Sequence, residues 1–183
     1  IKPIIGCEVY VAPRSRFSKE SNLDSEYSHL ILLVKNKTGY QNLIKLVSLS
    51  FTEGFYYKPR IDLEILEKYS EGLICLSACL AGSINQAILR DDIEKAKEIA
   101  LWHKRVFKDD YYLEVQNNGL RKQVLVNQKL VELSKELDIP LVATNDAHYL
   151  KKEDSYNHEV LLCIQTGKNM NDEDRMRFET EEF

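Results

Sequence analysis

The stretch LVATNDAHY, Leu141 to Tyr149, places Asp146 and His148 two residues apart directly behind an apolar run. On an extended backbone such a pair points the same way. A carboxylate oxygen and an imidazole nitrogen on one side make a chelating pair for Zn2+ or Mn2+. The competing reading is an Asx-turn followed by a surface histidine.

Three more side chains have the right chemistry. Glu8 interrupts the apolar run IIGCEVYVA, where a bare charge is costly unless paired or bound to a metal; its alternative is an outward position on an edge strand. Cys79 closely follows the apolar run Leu73 to Leu76, which suits a thiolate ligand at a strand end, although a small buried apolar residue is the commoner role of such a cysteine. His29 opens HLILLVK, as a ligand or as a solvated strand-end residue.

Other candidates read as structural. His103 shares a helix face with Ala96, Ala100 and Phe107 and is expected to be packed. His158 and Glu159 open HEVLLC, which lacks the second histidine of a helical HExxH site. Glu114, in YYLEVQ, ranks below Glu8, because Asn117 or Arg121 could satisfy it. There is no GxxxxGK[ST], GxGxxG or GxSxG segment, which argues against a P-loop enzyme, a dinucleotide site of the usual kind and an α/β-hydrolase.

These residues need elements to hold them. Apolar, β-branched runs predict strands at Ile4 to Ala12, His29 to Lys35, Gly72 to Leu80, Tyr111 to Gln116 and Pro140 to Thr144. Helical spacing predicts helices over Thr38 to Phe51, Asp92 to Phe107, Leu120 to Leu137 and Glu153 to Gln165, with a short one capped by Asp62. Pro13 to Ser28 and the aromatic, basic GFYYKPRID read as loops. Short apolar strands separated by helices predict an α/β fold of parallel βα units covered on both faces, as a barrel or a doubly wound sheet. In either, ligands gather at the carboxyl ends of the strands.

The chain has 183 residues, 44% hydrophobic and 30% charged, with 25 Lys plus Arg against 29 Asp plus Glu. That suits one domain or most of one. A net charge of −4 lacks the basic surplus of a phosphate-backbone binder, so any nucleic-acid contact must be local or made elsewhere. Cys7, Cys75, Cys79 and Cys163 form no CxxC pair, which points to a reducing, cytosolic setting. No apolar run approaches a membrane span. The chain opens at Ile1 and its only methionines are Met170 and Met176, so the natural start is expected upstream.

With Glu8, His29, Cys79, Asp146 and His148 assembled, the chain resembles the PHP (polymerase and histidinol phosphatase) domain of bacterial replicative DNA polymerase III alpha subunits. The likeness runs through IKPIIGCEVYVA, HLILLVKNKTGYQNLIKLVS, EGFYYKPRID, EGLICLSACLAG, YYLEVQNNG, LVATNDAHY and HEVLLCIQTGK, and RMRFETEEF is similar to the passage into the polymerase palm. The resemblance implies a partial, distorted (β/α)7 barrel related to the TIM barrel, over residues 1–167, with 168–183 connecting towards the palm. It implies a metal cluster of Zn2+ or Mn2+ in which Glu8 can bridge and His29, Cys79, Asp146 and His148 are ligands. The family's opening HxH and Asp-His motifs are absent, so half of the cluster's ligands are expected outside this chain.

The implied activity is phosphoester hydrolysis, including 3′ to 5′ exonuclease, in a parent that polymerises DNA with palm aspartates and Mg2+ outside this chain. Implied partners are primer-template DNA and dNTPs, a proofreading exonuclease subunit, the sliding clamp and the clamp loader. A stand-alone histidinol-phosphatase-like enzyme and a metal-free docking scaffold are the competing readings.

Overall fold

A computed structural model describes residues 1–177. The end of the expected connection, 178–183, lies outside the described residues.

Six strands form one sheet in the order β3-β1-β2-β4-β5-β6: β1 Gly6–Val11, β2 Ser28–Val34, β3 Arg60–Ile61, β4 Leu73–Leu76, β5 Tyr111–Gln116 and β6 Leu141–Thr144. The helices are α1 Lys37–Thr52, α2 Leu63–Lys68, α3 Ser83–Leu89, α4 Ile93–Phe107, α5 Arg121–Leu137 and α6 Ser155–Thr166. The α/β class stands, and every expected helix is present. Two elements exceed the expectation: β3 lies in the presumed loop GFYYKPRID, and α3 follows β4.

The sheet is mixed, which corrects the all-parallel expectation. β2 runs antiparallel to both β1 and β4, while β1 pairs β3, β4 pairs β5 and β5 pairs β6 in parallel. An apolar run carries no sign of its direction. The connection from β1 to β2 contains no helix, so it returns the chain without the crossover that parallel pairing requires.

Strand alternation divides the sheet into two unlike faces. Val9, Val11, Leu30, Leu32, Leu73, Cys75, Tyr111 and Leu113 form one hydrophobic core with Leu43 and Leu46 of α1, Ile65 and Leu66 of α2, Ile84 and Ile88 of α3, Ala96 and Ala100 of α4, and Val126 and Leu130 of α5. Five helices therefore bury one face. The register places Glu8, Tyr10, His29 and Ile31 on the other, continuing through Leu76, Tyr112, Glu114 and Gln116 to Val142 and Thr144. None of these belongs to that core. Leu76, Glu114 and Gln116 on this second face are buried all the same, while Glu8 is exposed.

Local chemistry sets the element ends. Asn36 caps α1 by accepting from the Gly39 N–H, Asp62 caps α2 by accepting from Ile65, and Asp92 caps α4 by accepting from Lys95. Gly39 packs against Gly72 so closely that a Cβ on it would lie 1.8 Å from the Gly72 carbonyl oxygen. At the end of α6, Gly167 adopts φ 67, the left-handed conformation that glycine takes at little cost. Arg175 then turns back to Glu159 at 2.9 Å and donates to the Met170 carbonyl at 3.0 Å.

The loop between β1 and β2 is organised by an unexpected residue. Arg60, in β3, is fully buried and donates to the carbonyls of Gly54, Asp24 and Ser18 at 3.1, 2.7 and 2.9 Å. Arg16 is buried too, donating from its backbone and guanidinium to the α2 cap Asp62 at 2.8 and 3.1 Å. Basic residues that read as loop decoration are its anchors.

Candidate metal centre

The antiparallel course of β2 decides the site's position. Val11, at the end of β1, pairs with Ser28 at the start of β2. His29 therefore lies at the edge where β1, β4, β5 and β6 finish. A histidine at the wrong end of a parallel strand would be far from them; at the start of this one it joins them.

On the polar face His29 sits opposite Tyr10, and Glu8 sits two residues back along β1. The His29 Nδ1 lies 3.2 Å from Glu8 Oε1 and 3.6 Å from Cys79 Sγ. Glu8, His29 and Cys79 offer ligand atoms that all fall within 4.8 Å of one another. Tyr27 stacks on the His29 ring with centroids 6.1 Å apart.

Cys79 is brought there by a specific turn. Ala78 adopts φ 66, a left-handed conformation that is strained for a residue with a Cβ. The turn is held from α3: the buried Asn85 donates to the carbonyls of Ala78 and Cys79 at 3.1 and 2.7 Å, and Gln86 donates to Leu80 at 2.7 Å. The His29 N–H donates to Ala81 O at 3.0 Å, stitching the same turn to β2.

Charges within the trio reinforce each other. The Cys79 sulfur, and then the Glu8 carboxylate, hold the His29 proton against the cost of burial, so that its pKa is pushed up to about 10. The hydrogen bond from His29 in turn lowers the Glu8 pKa against its own burial, and the more distant His148 adds to this. A carboxylate and a sulfur thus converge on one imidazole.

Asp146 and His148 lie at the end of β6, outside the trio. The backbone is not extended there, because Asp146 has φ 51, and this corrects the geometry expected of the pair. Instead His148 Nδ1 donates to the Asp146 carbonyl at 2.8 Å. That bond fixes the tautomer and leaves the lone pair of the neutral ring on Nε2. His148 also contacts the His158 ring, centroids 6.0 Å apart.

A carboxylate, an imidazole and a sulfur with converging donor atoms match the ligand preferences of Zn2+, and the imidazole and carboxylate those of Mn2+. The donor set fits the implied cations.

The PHP domain profile matches residues 1–118. The chain belongs to the PHP domain family. It is 52% identical over its whole length to the DNA polymerase III subunit alpha of Borreliella burgdorferi, 50% to that of Treponema pallidum and 48% to that of Thermus aquaticus. It spans 16%, 16% and 15% of those proteins.

Within this PHP chain the remaining expectations resolve plainly. His103 is buried, bonded through Nδ1 to Ile99 O at 2.9 Å and stacked on Tyr111, and burial pushes its pKa down to about 4. Glu159 pairs with Arg175. Glu114 is buried, with Thr144 and Gln116 as its side-chain partners rather than Asn117 or Arg121. Asn85 and Gln86 are the residues that sequence reasoning missed; their only signal was the turn segment Ala81–Gly82–Ser83 preceding an apolar helical run. All four cysteines are free thiols, and among the described residues no helix is long and apolar enough to cross a membrane.

Proposed function

We propose that this chain is the PHP segment of a cytoplasmic, replicative DNA polymerase III alpha subunit, and that it hydrolyses phosphodiesters with bound Zn2+ or Mn2+. In this reading residues 1–167 are part of a distorted (β/α)7 barrel whose polar interior is the face opposite the helices, and 168–183 lead towards the palm. Glu8, His29, Cys79, Asp146 and His148 are the ligands this chain contributes. The observation that carries the reading is the convergence of the Glu8, His29 and Cys79 donor atoms within 4.8 Å.

The chemistry a divalent cation supplies when bound there is Lewis acidity: a water pKa lowered to about 7 and neutralised phosphate charge. The chain's own contribution is to prepare the donors. Glu8 is kept ionised by His29 and has a second oxygen with which to bridge. His148 presents Nε2 because its Nδ1 is committed to the Asp146 carbonyl. Cleavage at a 3′ end is the exonuclease that a polymerase uses to correct itself, and in the parent this segment works beside primer-template DNA, dNTPs, a proofreading subunit, the sliding clamp and the clamp loader.

The test is elemental analysis and exonuclease assay of the intact parent. His148→Ala should lower bound metal and abolish metal-dependent 3′ to 5′ hydrolysis while DNA synthesis continues. Unchanged metal content in that variant would overturn the ligand set. A parent purified without chelators that holds no transition metal would favour a docking scaffold.

A further inference from the structure

A single buried residue, Glu114, reaches both arms of the metal centre, through its backbone N–H on one side and its carboxyl on the other. Glu114 lies on the polar face of β5 and is 3% exposed. Its backbone N–H donates to Ser77 Oγ at 2.8 Å, and Ser77 N–H donates to Tyr112 O at 3.1 Å. These bonds fix the residues just before Cys79. Burial raises the pKa of the Glu114 carboxyl, against the hydrogen bonds from Thr144 and Gln116, which favour its charged form.

On the other side, Glu114 Oε1 accepts from Thr144 Oγ1, and from Gln116 Nε2 at 3.3 Å. Gln116 Nε2 also reaches Thr144 Oγ1, at 3.2 Å. Thr144 ends β6, two residues before Asp146. Glu114 Oε2 and Gln116 Oε1 are buried without a hydrogen bond of good geometry. A buried carboxyl so incompletely satisfied costs stability. A packed apolar residue would serve the fold better, so the carboxyl needs another explanation.

We propose that Glu114 is a positioning residue of the metal centre, strapping the β4 end that carries Cys79 to the β6 end that carries Asp146 and His148. The assignment rests on the metal-centre reading above. Without the carboxyl, the backbone bond to Ser77 and the β5–β6 ladder remain, but the side-chain hold on Thr144 ahead of the Asp146 arm is lost, and the ligands of the two strands converge less closely.

The intact protein carrying this domain is titrated with Co2+, whose absorption reports thiolate ligation by Cys79, and with Zn2+ in competition. Glu114→Ala should weaken binding by about 10- to 100-fold, the usual effect of removing a residue that orients ligands. Glu114→Gln, which keeps an acceptor for Thr144, should recover most of that loss. In an Asp146→Ala background, Glu114→Ala should cost little more, because both changes disable one arm. Should Glu114→Ala fail to fold, Thr144→Val removes the same strap and should weaken Co2+ binding in the same direction.

Wild-type affinity in folded Glu114→Ala, or an equal penalty with and without Asp146, overturns the proposal while leaving the metal centre standing. A wild-type protein that binds neither cation overturns the metal centre, and the proposal with it.

Discussion

The two faces of this sheet are made by the same strands, residue by residue in alternation, and they do opposite things. One face is closed by five helices into a continuous apolar core; the other carries Glu8, His29, Glu114, Gln116 and Thr144. Apolar burial supplies most of a fold's stability, whereas partly satisfied polar groups subtract from it. The contrast teaches that this chain keeps its stability and its chemistry on opposite sides of one layer of backbone.

The strongest challenge to that division is Leu32→Ala. Leu32 is fully buried on the helical face, so the substitution should cost about 2–5 kcal/mol in denaturant unfolding. Metal affinity per folded molecule should not change; if it does, the faces are coupled.

His103 sharpens the helical side. Its pKa, pushed down to about 4 by burial, lies below that of an exposed histidine, so the unfolded chain binds the extra proton first. Stability from this group is complete above pH 6.5 and is lost as pH falls towards 4, by about 3 kcal/mol in all. Unfolding measured across that range should show a shallower acid slope in His103→Phe.

His29 gives the opposite sign on the polar side. Its raised pKa of about 10 means that a cation must displace a proton at any lower pH. Apparent metal affinity should rise by about tenfold per pH unit from 6 to 9 on account of this residue, and His29→Gln should remove that slope. In metal-free protein the same proton stabilises the fold fully below pH 6.5, and that contribution disappears as pH rises through 10.

The smallest effect should come from Asn85→Ala, which straddles the division. Asn85 sits on α3 yet holds the turn carrying Cys79. Losing two hydrogen bonds to buried carbonyls should cost about 1–3 kcal/mol in thermal unfolding and weaken metal binding modestly. An unaltered Co2+–thiolate absorption would show that Ala78 sets the turn without help.

Helices with a long apolar period and strands of β-branched residues were readable from the sequence, because both patterns record burial directly. The cap at Asp62 was readable for the same local reason. The direction of β2 was not, since an apolar run reads alike in either orientation, and only its pairing with β1 and β4 settles it. Cys79 was placed correctly behind a strand, but Asn85 looked like any polar helical residue until its contacts were known. Asp146 and His148 were singled out by their spacing, yet the extended backbone assumed for them gives way to a left-handed residue that spacing cannot reveal.

Arg60 bears on how this chain would meet a protease. The segment from Pro13 to Ser28 contains Arg14, Arg16 and Lys19 and has the composition of a linker that trypsin would cut. Three of its neighbouring or internal carbonyls point at one buried guanidinium instead, and Arg16 is itself closed against Asp62. A cleavable conformation requires that hub to open, so the loop should be nicked at the rate at which the fold around β3 breathes rather than at the rate of an unstructured chain.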